Sequence, residues 1–211
     1  MGEIKAILFD MDGVLIDAKE WHYEALNKAL KLFGCEISKF DHIHTFDGLP
    51  TKDKLKILSK GSYLPTQLHD FVNQLKQQYT MEMIAQKCKP LFQHEYALSK
   101  LKSEGYLLAV CSNSKRETII EMMERAELAD YLDLILSNED VEKAKPDPEI
   151  YLMAMEKLGL MPNRCLILED NKNGIAAAAA SGGHLLKIDT VYDVSYSNIK
   201  IELEKYDNVE K

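Results

Sequence analysis

Five short apolar runs punctuate the chain, at positions 4–9, 107–111, 132–136, 165–168 and 185–188. They are too continuous to alternate between core and solvent, as expected of strands buried on both faces. Helical patterns separate the later runs. Ser114, with Glu117 three positions on, reads as a capping box opening a helix whose Ile119, Ile120 and Met123 point inward. Asp147-Pro148 reads as a helix start followed by an Ile150, Ala154, Leu158 stripe. A third helix is expected over 171–181, where Ala176 to Ala180 are five consecutive alanines and small side chains permit close approach to a sheet. Strands alternating with helices predict an α/β fold with a parallel sheet covered on both faces.

The first and second runs are separated by nearly a hundred residues, far more than an ordinary crossover. Trp21, Ala25, Ala29 and Leu32 form one helical stripe closed by Gly34. Leu55 with Leu58, and then positions 68–75, continue the helical signal more weakly. Residues 18–89 therefore read as a helical cap inserted after the first strand, with hinges at 15–18 and 87–90. The core would comprise 1–17 and 90–211.

Composition narrows the function classes. With 46% hydrophobic and 28% charged residues in 211, a packed core is expected and disorder is not. The formal net charge of −8 argues against nucleic acid or an anionic membrane as partner. The charge is uneven: 18–89 holds 11 lysines against eight acidic residues (+3), so the rest of the chain carries −11. Such a basic segment either draws anionic small molecules toward a cleft or is an ordinary solvated surface. Cys35, Cys88, Cys111 and Cys165 show no metal-ligand spacing, and no long apolar span or secretory signal pattern is evident. Together these predict a reducing cytoplasm, and an acidic single-core chain predicts a monomer.

The chemistry concentrates at the strand ends. The first run delivers Asp10 and Asp12 to Gly13, which allows a sharp turn. Residues two apart on an extended chain share a face. Two acids so placed are costly unless a cation or a shared proton compensates them. The layout suits a magnesium-assisted reaction in which Asp10 attacks phosphorus and Asp12 gives a proton to the leaving alkoxide, then takes one from water. Alone, the string also fits a strand-end turn with acidic caps. Ser112 and Asn113 end the second strand where a helix begins, which makes a phosphate cradle or a simple cap. Lys145 lies in a segment stiffened by Pro146 and Pro148; held there it would neutralise nucleophile and phosphate at once, the alternative being a solvated loop lysine. Glu169-Asp170 again follows a buried run. Asp10, the backbone carbonyl of Asp12, and Asp170 make a plausible Mg²⁺ ligand set, with Glu169 a ligand or an acceptor behind it.

Phe9-Asp10-Met11-Asp12-Gly13-Val14-Leu15, then Ser112-Asn113, then Lys145-Pro146-Asp147-Pro148, then Glu169-Asp170 with Gly174 and the alanine-rich helix occur here in order. This succession resembles the haloacid dehalogenase superfamily, in its phosphatase branch with an inserted helical cap, over essentially the whole chain. The resemblance implies a Rossmann-like three-layer core, Mg²⁺, an aspartyl-phosphate on Asp10, Asp12 as acid/base, and phosphate contacts from Ser112 and Lys145. By look the chain is similar to β-phosphoglucomutases and small sugar-phosphate phosphatases. His22 occupies the position of the mutase's cap-hinge histidine, and Gly48-Leu49-Pro50-Thr51 resembles its specificity loop. Thr51 stands where the mutase has an arginine holding the non-transferring phosphate, and Ala18 where many relatives carry a hydroxyl. Lys52 is adjacent to Thr51, but a lysine does not reproduce a bidentate fork. The implied activity is hydrolysis of the phosphomonoester of a small, sugar-phosphate-like metabolite; the alternative is a β-phosphoglucomutase-like phosphosugar mutase.

Overall fold

The computed structural model describes residues 3–61 and 64–207. Strand β1 (Ala6–Phe9) is followed by helices α1 (Lys19–Lys31), α2 (Lys39–Asp41), α3 (Thr51–Lys60) and α4 (His69–Lys87). The chain continues through α5 (Phe92–Ser103), β2 (Leu107–Cys111), α6 (Arg116–Arg125), β3 (Leu134–Leu136) and α7 (Glu149–Leu158). It ends with β4 (Cys165–Glu169), α8 (Lys172–Ser181), β5 (His184–Lys187) and α9 (Tyr196–Asp207). Two compact units result: Met1–Asp17 with Lys89–Lys211, and Ala18–Cys88.

The first unit is built on a five-stranded parallel sheet ordered β3-β2-β1-β4-β5. On one face, Ala6, Leu8, Ala109, Cys111, Cys165 and Ile167 pack against Ile150, Tyr151 and Ala154 of α7 and Ala177 and Ala178 of α8. The alanines let α8 lie close to the sheet, as their size suggests. Helix α5 packs against β2 and α9. Phe9 of β1 stands level with Val110 of β2 and Leu168 of β4, so the three strands end together. Strand order reverses between β1 and β4, and in an open parallel sheet that reversal leaves the crevice where ligands bind.

Local details differ from the sequence reading. Strand β3 is shorter than its apolar run, and β5 begins one residue earlier. Helix α6 begins at Arg116, with no side-chain cap from Lys115, so the Ser114–Glu117 capping box does not form. Ile119, Met122 and Met123 make its buried stripe at i, i+3 and i+4; Ile120, a third of a turn away, is 39% exposed. Leu32, the residue after α1, is also exposed. Asn171 caps α8 through the N–H groups of Asn173 and Gly174. Helices α5 and α9 are additions, each burying a few apolar residues: Ala97, Leu98 and Leu101 in one, Ile199 and Leu203 in the other. All four cysteines are free thiols. No helix among the described residues is long and apolar enough to cross a membrane.

The second unit is all helical. Its core joins Leu26, Ala29, Leu30, Ile37, Phe46, Leu55, Leu64 and Val72. Buried Asn27 ties the chain beyond α1 in place, donating to the Ile37 carbonyl (2.9 Å) and accepting from its N–H (2.8 Å).

Candidate active site

Strand β1 ends at Phe9, and the next residue is drawn into the sheet, Asp10 N–H donating to the Leu168 carbonyl at 3.0 Å. The chain then turns tightly. Gly13 sits at φ 96°, a conformation that suits a residue without Cβ, and its N–H donates to the Ile16 carbonyl at 2.7 Å. Asp12 therefore lies beyond the strand, bridged to Ile16 within the turn. The two carboxylates take different partners.

Asp10, only 5% exposed, belongs to a buried ionic cluster. Lys145 Nζ donates at 2.7 Å to Asp10 Oδ1, to the Cys111 carbonyl and to Glu169 Oε1. An ammonium has three N–H donors, so this geometry uses the whole set. The lysine is thus held in the core, and the solvated-loop alternative is ruled out. Burial works against its charge, but Asp10 and Glu169 outweigh burial and raise its pKa. For Asp10 the balance runs the other way. Burial first, then the Glu169 carboxylate, push its carboxyl well above the usual range despite Lys145. The cluster holds more negative charge than one lysine answers.

Glu169 is fully buried and closely engaged. Its Oε1 accepts from Lys145 and from the Tyr151 hydroxyl; Oε2 accepts from Asp170 N–H at 3.2 Å and Asn171 Nδ2 at 3.5 Å. The carboxylate lies against Gly174, where a Cβ would come within 2.0 Å of it. This close approach explains a glycine in the first turn of α8. Tyr151 also places its ring 4.7 Å from Lys145 Nζ. Tyr151 escaped the sequence reading; the available signal was an aromatic residue six positions after Lys145, at the start of a core-facing helix.

Asp10, Glu169 and Asp170 each offer an oxygen within 4.8 Å of the others. An all-carboxylate donor set with excess negative charge fits a hard divalent cation such as Mg²⁺. Asp12 is outside this trio; Ser114 Oγ donates to its Oδ2 at 2.8 Å.

The loop after β2 supplies the other predicted residues. Ser112 is 1% exposed, and its Oγ accepts the Ser114 N–H at 3.0 Å. The Asn113 side chain engages the backbone of Lys145. Its Oδ1 accepts the Lys145 N–H (3.1 Å) and its Nδ2 donates to the Lys145 carbonyl (3.3 Å), which pins the backbone that carries the lysine. His22, Gly48, Thr51 and Lys52 lie in the helical unit. His22 Nδ1 is 3.1 Å from Lys76 Nζ, Gly48 has φ 70°, and Thr51 and Lys52 open α3, Lys52 being exposed.

The sequence matches the haloacid dehalogenase-like hydrolase family over residues 7–188. It is 30% identical over 197 residues to a phosphorylated carbohydrates phosphatase of Thermotoga maritima, covering 92% of this chain and 87% of that protein. It is 31% identical over 179 residues to a phosphoglycolate phosphatase of Aquifex aeolicus, covering 85% and 82%. In fold it is similar to the crystal structure of β-phosphoglucomutase from Clostridium difficile, with a TM-score of 0.84 at 24% identity over 96% of this chain and 98% of that one. The switch-point cluster and the match across almost the whole core thus lead to one assignment: the chain belongs to the haloacid dehalogenase-like hydrolase family.

Proposed function

We propose that the chain is a Mg²⁺-dependent phosphatase of small phosphorylated metabolites, sugar-phosphate-like in class, and that Asp10 carries the phosphoryl group between two half-reactions. The observation that carries this reading is the Lys145 ammonium, which fixes Asp10 Oδ1 at 2.7 Å at the sheet's switch point. A carboxylate held in one plane beside a cation is prepared to attack phosphorus. In the first half-reaction Asp10 forms a bond to phosphorus while the bond to the leaving oxygen breaks, and Asp12 protonates that oxygen. In the second, Asp12 takes a proton from water, which attacks the phosphorus and returns Asp10. Ser112 and the backbone N–H groups of its loop would bind the phosphoryl oxygens, while the Lys145 ammonium, its three N–H groups engaged, would offset their charge from beside Asp10, Asn113 acting chiefly by fixing Lys145.

Asp10, Asp170 and the Asp12 backbone carbonyl would hold the ion. Glu169, its oxygens engaged by Lys145, Tyr151, Asp170 and Asn171, would orient the lysine. Bound Mg²⁺ would offset phosphate charge and let two anions meet. The helical unit would act as a hinged cap, admitting water in one half-reaction and excluding it in the other, with His22, Gly48, Thr51 and Lys52 contributing to substrate choice. The names of the Thermotoga and Aquifex relatives support phosphomonoester hydrolysis. Thr51, which offers no bidentate clamp for a second phosphate, favours hydrolysis over mutase chemistry.

The test is phosphate release across a panel of phosphorylated metabolites with Mg²⁺. Turnover should stop in EDTA, return on adding Mg²⁺, and fall by roughly 10⁴-fold or more in Asp10→Asn. Accumulation of isomeric sugar phosphates without phosphate release, followed by phosphorus NMR, would contradict hydrolysis.

A further inference from the structure

Ser114 looks in the sequence like the cap of the helix that follows it, yet α6 begins two residues later and takes no side-chain cap. Its hydroxyl instead donates to Asp12 Oδ2 at 2.8 Å, across 102 positions of sequence. Both ends of this bond are fixed. The Ser114 N–H donates to Ser112 Oγ at 3.0 Å, and its carbonyl accepts from the Asn138 N–H at 3.2 Å. Asn138 is itself anchored, its Nδ2 donating to the Asn113 carbonyl at 2.9 Å. On the other side, Asp12 sits in the turn closed by Gly13 N–H to the Ile16 carbonyl (2.7 Å) and Ile16 N–H to the Met11 carbonyl (2.9 Å). A short side chain from a rigid loop thus meets a short carboxylate on a rigid turn.

From this geometry we propose that Ser114 is a positioning residue that aims the Asp12 carboxyl for proton transfer to the leaving oxygen. The proposal rests on the phosphatase reading and adds to it the residue that orients its acid. Proton transfer requires the donor to lie within hydrogen-bond reach of the leaving atom, so an acid free to rotate about χ1 loses much of its effect. Ser112 belongs to the same loop but turns its hydroxyl toward the Ser114 backbone, so the two serines divide the work. The loop that cradles phosphate would then also orient the acid, which ties the two functions to one piece of backbone.

The decisive readout is leaving-group dependence, because only poor leaving groups need the proton. The variants Ser114→Ala, Ser114→Thr and Asp12→Asn are compared with wild type on acetyl, p-nitrophenyl and phenyl phosphate, as kcat/KM, with thermal unfolding as control. Ser114→Ala should lose about tenfold on phenyl phosphate, a fraction of the roughly 10²–10⁴-fold that general acid catalysis supplies. It should lose less than about twofold on acetyl phosphate, with Ser114→Thr restoring most of the difference and Asp12→Asn showing the same trend more steeply. An equal loss on all three substrates, no loss, or a gain on phenyl phosphate would overturn the proposal. Crystal structures of wild type and Ser114→Ala read the same claim without turnover. Asp12 should leave its wild-type rotamer in the variant, and an unmoved carboxylate would refute the aiming role. Failure of the phosphatase reading itself would show separately, as absence of turnover by wild type.

Discussion

The buried centre of the sheet unit and the surface of the helical unit use the same charged residue types in opposite ways. In the sheet unit, Lys145, Asp10 and Glu169 form ion pairs at 2.7 Å with side chains no more than 7% exposed. In the helical unit, Lys28–Glu82, Lys31–Glu36, Lys39–Glu20 and Lys87–Glu24 pair at 2.8–3.2 Å with side chains 41–63% exposed. Distance hardly separates the two sets; environment does. Exposed pairs are screened, lose side-chain entropy on forming, and contribute about 0–1 kcal/mol each. Buried ions must be compensated almost completely, so each partner fixes the others and removal of one is costly. The sheet unit thereby holds reactive groups in one geometry. The helical unit keeps these four lysines in exposed pairs whose opening costs little.

The largest test of this contrast replaces one lysine in each unit. Lys145→Met leaves the Asp10 and Glu169 carboxylates facing each other and should cost about 3–5 kcal/mol in urea unfolding in EDTA. Lys87→Met, which opens an exposed pair, should cost less than about 1 kcal/mol. Similar costs for the two would break the comparison.

A smaller perturbation leaves every charge in place and moves one. In Gly174→Ala the new Cβ would fall 2.0 Å from the Glu169 carboxylate, so that group must shift and loosen its hold on Lys145. The expected loss is about 1–3 kcal/mol, as for other overpacked sites, with a matching fall in phosphate release. Wild-type stability and activity in this variant would mean that the placement of Glu169 is not critical.

Much of this candidate site was legible because strand ends announce themselves: apolar runs stopping at acids marked Asp10 and Glu169-Asp170, whereas Lys145, which alone also fits a solvated loop, was marked by the order of all four motifs. The engagement of Glu169 was not, because it depends on Tyr151, 18 positions away, and on Gly174 one turn into the next helix. Asn113 reads by its chemistry as a phosphate contact; its side-chain bonds to the Lys145 backbone, 32 positions on, leave no local signal. Ser114 was mistaken for a cap because local spacing cannot register a tertiary bond of longer reach. In the fold, the central strands β1, β2 and β4 were visible through near-continuous burial, whereas the edge strands β3 and β5 are only partly buried. Helices α5 and α9 were missed because each buries only a few apolar positions, α5 with Phe92 and Tyr96 exposed beside them and α9 among several charges.

The smallest expected effect concerns the buried histidines, one in each unit: His94 and His42. Burial is the main cause lowering both from 6.5. Lys54 adds to it at His42, while backbone hydrogen bonds to Val191 and Leu15 oppose it at His94. A base whose folded pKa is depressed is held neutral, so its contribution to stability is complete above the unfolded value near 6.5. That contribution is lost as pH falls through 6.5 toward the lowered folded value. Because the raised carboxyl of Asp10 contributes with the opposite sign, the histidine share is read by subtraction: in urea unfolding, the stability lost by wild type between about pH 7.5 and about pH 5.5 should exceed that lost by His94→Gln. An unchanged difference would place the pH sensitivity elsewhere.

The central claim is that Asp10, held by Lys145, takes the phosphoryl group from substrate. Rapid acid quench of the enzyme during turnover with Mg²⁺ and p-nitrophenyl phosphate, followed by peptide mass spectrometry, measures this directly. One acid-stable phosphoryl group on the peptide bearing Asp10, absent in Asp10→Asn, is the predicted result. Steady turnover with Asp10 never phosphorylated, or with the phosphoryl group on another residue, would contradict it.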